Sequence, residues 1–286
     1  SQNFMVPANL LPDNAAAAFL TTGHWAEKTW DEIKIFPTAS YEAWDGRASK
    51  HTYCPSDSEI VYQDKPVYVH MCSNNTIYGT QWRTSDGAMR YPKVPEGSAL
   101  VCDASSDIYS RPMDVTKFGM IYAGAQKNIG IAGTTLAIIR EDLLKPVRTL
   151  PTMLRYEVHA KDQSRHNTPP AFAIYLSGLV FKWIKAQGGL AAMHQKNLDK
   201  AKLIYDVLDA SKFYQGHARK DSCSLMNITF RVNPSVAKAE ELDELFVKEA
   251  LKQGMDQLKG HRSTGGVRAS TYNAMPVAGC KALADF

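Results

Sequence analysis

The sequence predicts an α/β domain on a largely parallel sheet, followed by a smaller α+β domain. Three observations carry this expectation. Short apolar runs alternate with helix-like spacings through the first half of the chain; a double proline at 169–170 opens a stretch of long helical segments; and the last third sets two strand-like runs around one helical run.

In order, residues 16–21 (AAAFLT) form an apolar run that Gly23 punctuates. From His24 to Phe36, apolar residues at 25, 30, 33 and 35–36 give a helical period. Residues 66–72 (PVYVHMC) alternate as a strand does, and 98–102 (SALVC) form a short apolar run ending at Asp103. Residues 119–123 (GMIYA) and 133–139 (GTTLAII) are two more strands, on either side of a loop that carries Lys127. Pro169-Pro170 can open a helix, because proline at the first helical position forfeits no needed hydrogen bond. That helix should reach Ala186 and break at Gly188-Gly189, and a second should run from Leu190 to Ala210. A strand at 225–232, a helix at 239–253, a strand at 266–271 and an amphipathic helix from Val277 follow. The expected division is a large domain at 1–189 and a small one at 190–286.

Composition narrows the function. At 44% hydrophobic and 22% charged, the 286 residues have the balance of a soluble globular protein. A net charge of +4 with scattered lysines and arginines gives no support to nucleic-acid or membrane-surface binding, yet suits anionic small molecules. Five cysteines without a CxxC pair fit reduced thiols, and hence a cytoplasmic protein. The longest apolar stretch, Ala171 to Phe181, is too short to span a bilayer and reads as a buried helix.

The chemistry starts at Lys127. A lysine amine attacks a carbonyl only when neutral, so a Schiff-base lysine needs burial or a neighbouring cation. Here an apolar strand (Met120-Ile121-Tyr122) feeds a turn of small residues (Ala123-Gly124-Ala125) that presents Gln126, Lys127 and Asn128. Strand ends are where α/β proteins bind ligands. Taken alone, a lysine in a polar loop reads as solvated surface. Asp103 ends another apolar run 24 residues earlier. It reads equally as a cap for Ala104-Ser105-Ser106 and as the carboxylate that keeps a pyridoxal ring nitrogen protonated.

The segments VCDASS, AGAQKN and HNTPP together resemble the phosphoserine aminotransferases, fold-type I pyridoxal-phosphate enzymes of serine biosynthesis. The resemblance continues through REDLL, YLSGLVFKWIKAQGG, KGHRSTGGVRAS and YNAMP and covers essentially the whole chain, more loosely at 36–62. It implies a mainly parallel sheet of the seven-stranded type and a homodimer with active sites shared across the interface. It implies Lys127 as the lysine bonded to pyridoxal phosphate, Asp103 as the ring-nitrogen partner and Trp25 as the aromatic stacked on the ring. Thr76 would lie near the phenolic oxygen and Gln126 at the cofactor phosphate. Asn167 and Thr168 would reach that phosphate from the neighbouring subunit. Arg268 would hold a substrate α-carboxylate, with His261 and Arg262 on the distal anion across the interface.

Each has a plainer reading. Trp25 would be a core residue, Thr76 a turn residue, Thr168 a helix cap and the 261–268 segment a basic surface loop. The resemblance also implies a glycine-rich phosphate turn ahead of Ser1 and an upstream His-Arg pair, so the chain is expected to be a piece of a longer protein. The implied reaction exchanges an amino group between O-phospho-L-serine and 2-oxoglutarate. Two alternatives stay open: a relative acting on alanine, serine or glyoxylate, and an inactive homologue serving as a dimer partner.

Overall fold

A computed structural model describes residues 2–63 and 65–286. Ser1, where the expected large domain begins, lies outside the described residues. The principal sheet comprises β1 (Ala18–Thr21), β2 (Tyr41–Asp45), β3 (Tyr68–Cys72), β6 (Ala99–Asp103), β7 (Met120–Gly124) and β8 (Thr135–Ile139). Two short strands, β4 (Asn74–Asn75) and β5 (Thr80–Gln81), form a separate hairpin. The strand order is β2-β1-β3-β6-β7-β8, parallel throughout except for β8.

The expected mainly parallel sheet is present. It has six strands among the described residues rather than the seven the resemblance implied, because β2 and β8 are its edges and no further described strand pairs with either.

Both faces of the central strands β1, β3, β6 and β7 are covered, which is why they read as continuous apolar runs. Period-two alternation sends Leu20, Met71, Leu100, Cys102 and Ile121 into one core and Phe19, Tyr68, Val101, Met120 and Tyr122 into the other. The second core also takes in α1 (Gln2–Leu10), through Met5, Val6 and Leu10, and Ile33 of α2 (His24–Ile33). Helix α2 stops three residues short of the expected Phe36, consistent with Pro37 disfavouring helix in the residue before it.

Beyond the sheet lie α3 (Tyr156–Lys161), α4 (Ala171–Ala186), α5 (Gly189–Ala210), β9 (Tyr214–Gly216), β10 (Asn227–Val232), α6 (Ala239–Lys252), β11 (Val267–Ser270) and α7 (Val277–Asp285). The antiparallel sheet β11-β10-β9 has its own core, in which Ile228, Phe230, Val267 and Ala269 meet Ile204, Ala250 and Cys280 from the helices.

Two expectations at α4 are corrected. Thr168 does not cap it; the cap position is Pro170, no side chain bonds there, and Asn167 and Thr168 before it are exposed. Nor is α4 buried: Ala173, Ser177 and Ile184 face inward, while Phe172 (68% exposed), Ile174 and Tyr175 (61%) project outward. The apolar stretch is wide enough to furnish two faces, and this chain covers only one of them.

Lys200 of α5 is fully buried, with Nζ donating to the carbonyls of Thr271 and Tyr272 at 2.9 and 2.8 Å. Burial pulls its pKa from 10.5 down to about 8. A lysine depressed in the fold binds fewer protons than in the unfolded chain between those values, so it adds stability as pH rises from about 8 towards 10.5. Relative to Lys200→Met, the native chain should gain up to about 3 kcal/mol across that window. Urea unfolding of both proteins at pH 7.5 and 10 checks the sign.

Candidate active site

Because β1, β3, β6 and β7 run parallel, their carboxyl ends share one edge of the sheet, the usual ligand position in an open α/β fold. The segments leaving that edge carry Trp25, Thr76, Asp103 and Lys127 in turn. Four of the expected residues are thereby assembled by topology alone.

Lys127 sits in the turn after β7 and is half-buried. Burial lowers its pKa, against the attraction of the Cys72 thiol, Asp103 and Asp107, while Arg268 lowers it further. Asp103 ends β6, paired in register with Tyr122 of β7. Burial raises its pKa against the hydrogen bonds from Ser105 and the charge of Lys127. Asp103 Oδ1 accepts the Ser105 backbone N–H at 2.9 Å, capping a turn rather than a helix, and its carboxylate acts on Lys127.

Trp25 is not a core residue: it is 46% exposed, and its indole Nε1 donates to Thr76 Oγ1 at 3.2 Å. Packing behind it fixes that position. A Cβ on Gly23 would lie 2.6 Å from Asn75 Oδ1, so only glycine lets α2 start this close to the 74–76 turn. Thr76 is a turn residue as well as a partner of Trp25.

Arg268, on β11 opposite Thr229, reaches the carbonyl of Thr76 with Nη1 at 3.4 Å. Its Nε is buried without an acceptor, so the guanidinium retains capacity for an anion. The small sheet is held here by Thr229 Oγ1 donating to the Tyr78 carbonyl at 2.9 Å, beside Gly79 at φ +71°. A side chain at Gly79 would be strained by that φ and would meet the Asn227 carbonyl at 2.9 Å.

His261 comes within this group: its ring lies 6.1 Å from that of His24 in the same chain, and His24 is 5.2 Å from Trp25. Its pKa is lowered by burial and by Arg268, His24 and Arg262. Arg262 and Gln126 are exposed, as are Asn167 and Thr168, and none of the four is drawn by a described hydrogen bond into the cluster around Lys127.

Several contributors were not anticipated. Ser105 joins the two strand ends, because its Oγ accepts the Gly124 N–H at 3.0 Å while its own N–H caps Asp103. Asn75 holds Thr22 at 3.0 Å and Thr80 at 3.1 Å. Beneath Asp103, the fully buried Asp107 accepts from Arg111 at 2.9 Å and Gln81 at 3.0 Å, and from Ser73. Polar residues at 73–75 and 105–107 were the available signal, but polar side chains beside a strand end read first as loop.

This arrangement can hold a flat, cationic ring between Trp25 and Asp103, keep a lysine amine ready to react, and offer Arg268 to a carboxylate. The family model for class-V aminotransferases matches residues 1–283. The phosphoserine aminotransferase of Herpetosiphon aurantiacus is 48% identical, over 100% of this chain and 76% of its own length. That of Lysinibacillus sphaericus is also 48% identical, over 99% of this chain and 75% of its own. Among solved structures, phosphoserine aminotransferase from Bacillus circulans subsp. alkalophilus superposes with a TM-score of 0.92 at 44% identity, covering 99% of this chain and 76% of that one. The PLP-bound phosphoserine aminotransferase of Trichomonas vaginalis gives 0.89 at 34% identity, covering 99% and 78%. An alanine–glyoxylate aminotransferase from Nostoc, at 13% identity and 0.69 over 99% and 78% of the two chains, shares the fold alone. The chain belongs to the phosphoserine aminotransferases, within the class-V aminotransferase family.

Proposed function

We propose that the protein transfers the amino group of O-phospho-L-serine to 2-oxoglutarate, giving 3-phosphohydroxypyruvate and L-glutamate in serine biosynthesis, with pyridoxal phosphate as cofactor. The observation that carries this reading is a half-buried lysine of lowered pKa whose charge acts on a half-buried carboxylate at the adjacent strand end. These residues fit the cofactor: a protonated ring nitrogen would offset the burial cost that raises the pKa of Asp103, and the free capacity of Arg268 suits a substrate carboxylate.

Bound here, pyridoxal phosphate supplies an electrophilic carbon for the amine and a protonated ring that accepts the electron pair left when Cα loses its proton. Lys127 would hold the cofactor through its amine and, once freed by the substrate amine, would carry the proton from Cα to the cofactor carbon. Asp103 holds the proton on the ring nitrogen. Trp25, anchored by Thr76, orients the ring, and Arg268 fixes the α-carboxylate. His261 and Arg262 receive the distal phosphate or carboxylate.

His261 and Arg262 would have no anion to meet in a serine- or alanine-specific relative. Holoenzyme should therefore use phosphoserine over serine by on the order of 10²-fold or more in kcat/KM. Equal rates on the two would reject the assignment.

The same reading extends to the assembly. We propose a homodimer in which the outward row Phe172, Tyr175 and Leu179 of α4 is covered by a second copy, since apolar patches of this kind mark interfaces. Asn167 and Thr168, just ahead of that row, would then reach the partner's cofactor phosphate, and Gln126 that of its own chain. The separate core of the small sheet supports a division into 1–189 and 190–286. A cytoplasmic location is supported by five buried, free cysteines. Among the described residues no helix is long and apolar enough to cross a membrane.

A further inference from the structure

Outside the site around Lys127, two adjoining cavities of about 570 and 600 Å³ meet at Arg83, Ser85, Arg219 and Lys220, which line both. Most of the charges around them are already matched. Asp206 lies 2.6 Å from Lys202, Asp209 2.9 Å from Lys220 and Asp221 3.1 Å from Arg219. Asp199 accepts from Gln195 at 2.8 Å, and Glu59 accepts from Ser56 and Tyr53. Arg90 donates to the carbonyls of Pro55 and Cys54 and lies over the Trp82 ring.

Arg83 is different. It makes no ion pair among the described residues, and its Nε is buried without an acceptor. A charged N–H left without a partner in a buried setting is costly, so the position is suited to an anion brought from outside. A guanidinium fork matches phosphate oxygens, and Arg83 supplies it here, since the flanking Arg219 and Lys220 are held by Asp221 and Asp209. The larger apolar contribution comes from the first cavity, where Leu198, Leu208, Leu225 and the ring of Tyr205 form one wall.

We propose that these joined cavities form a second binding site, for an organic phosphate monoester. Its phosphate sits against Arg83, between Ser85, Arg219 and Lys220, and its carbon portion lies along the leucine wall. No residue assigned to the Lys127 site lines either cavity, so the two sites fill independently.

Equilibrium dialysis of the holoenzyme with phenyl phosphate tests this, with excess glutamate present to clear the substrate site. One glutamate-resistant site per chain is expected, tighter for phenyl phosphate than for inorganic phosphate. Arg83→Gln should weaken it at least about tenfold, the worth of one charged hydrogen bond, and Arg83→Lys should lose less. Both variants should keep the melting temperature, and the kcat and KM of turnover, of the parent protein. No glutamate-resistant site, or one of equal affinity in Arg83→Gln, overturns the proposal. Failure of the aminotransferase reading would instead show as absent turnover, with dialysis at Arg83 unchanged.

Discussion

Lys127→Ala should lower transamination by about 10⁴-fold or more, the largest effect expected of any single substitution here. The side chain has two proposed duties, the covalent link and the proton at Cα, and its charge acts on Asp103. The half-buried amine is held towards its neutral form by burial, so its removal should not unfold the chain; it relieves a cost rather than breaking a described hydrogen bond. The check is twofold: loss of the cofactor's near-visible absorbance band characteristic of the lysine link, and a melting temperature at or above that of the parent. Full activity in Lys127→Ala would reject the role.

Asp103→Asn should lower kcat by about 10²–10³-fold, the usual effect of deleting one preorganised electrostatic partner. The substitution is informative because the Asn Oδ1 can still accept the Ser105 N–H, preserving the turn that joins β6 to the Lys127 loop. Burial already raises the pKa of this carboxyl, so a neutral amide there should leave stability equal or improved. Activity should fall while the lysine link and the fold persist. Single-turnover rates alongside thermal unfolding would separate the two effects, and a fall in both together would contradict an electrostatic role.

Much of this architecture was legible in the sequence, for physical reasons. Strands buried on both faces, such as Tyr68–Cys72 and Met120–Gly124, read as unbroken apolar runs, and α5 announced itself by length and by Gly188-Gly189 before it. Edge and short elements did not: β2 carries Glu42 and Asp45 among its five residues, β9 has three residues, and α1 contains Pro7. Lys127 and Asp103 were visible as strand-end residues, but their proximity depends on the parallel pairing of β6 and β7, which spacing alone leaves open.

Trp25 shows the limit most clearly. A tryptophan opening an amphipathic helix reads as core, and what places it at the surface of the site is the close approach of Gly23 to Asn75, a contact 52 residues apart in the chain. The α4 face failed for the opposite reason. Its apolar residues were read as buried because sequence hydrophobicity does not tell which faces of a helix its own chain will cover.

The central claim is that Lys127, and no other lysine, carries the cofactor. Borohydride treatment of the holoenzyme followed by peptide mass spectrometry tests it directly. The account predicts a single pyridoxyl-modified peptide containing Ala125-Gln126-Lys127-Asn128. The strongest competitor by chemistry is Lys200, whose pKa is also lowered, to about 8, but whose amine is spent on two backbone carbonyls. A pyridoxyl group on Lys200, or on any lysine other than Lys127, would contradict the account.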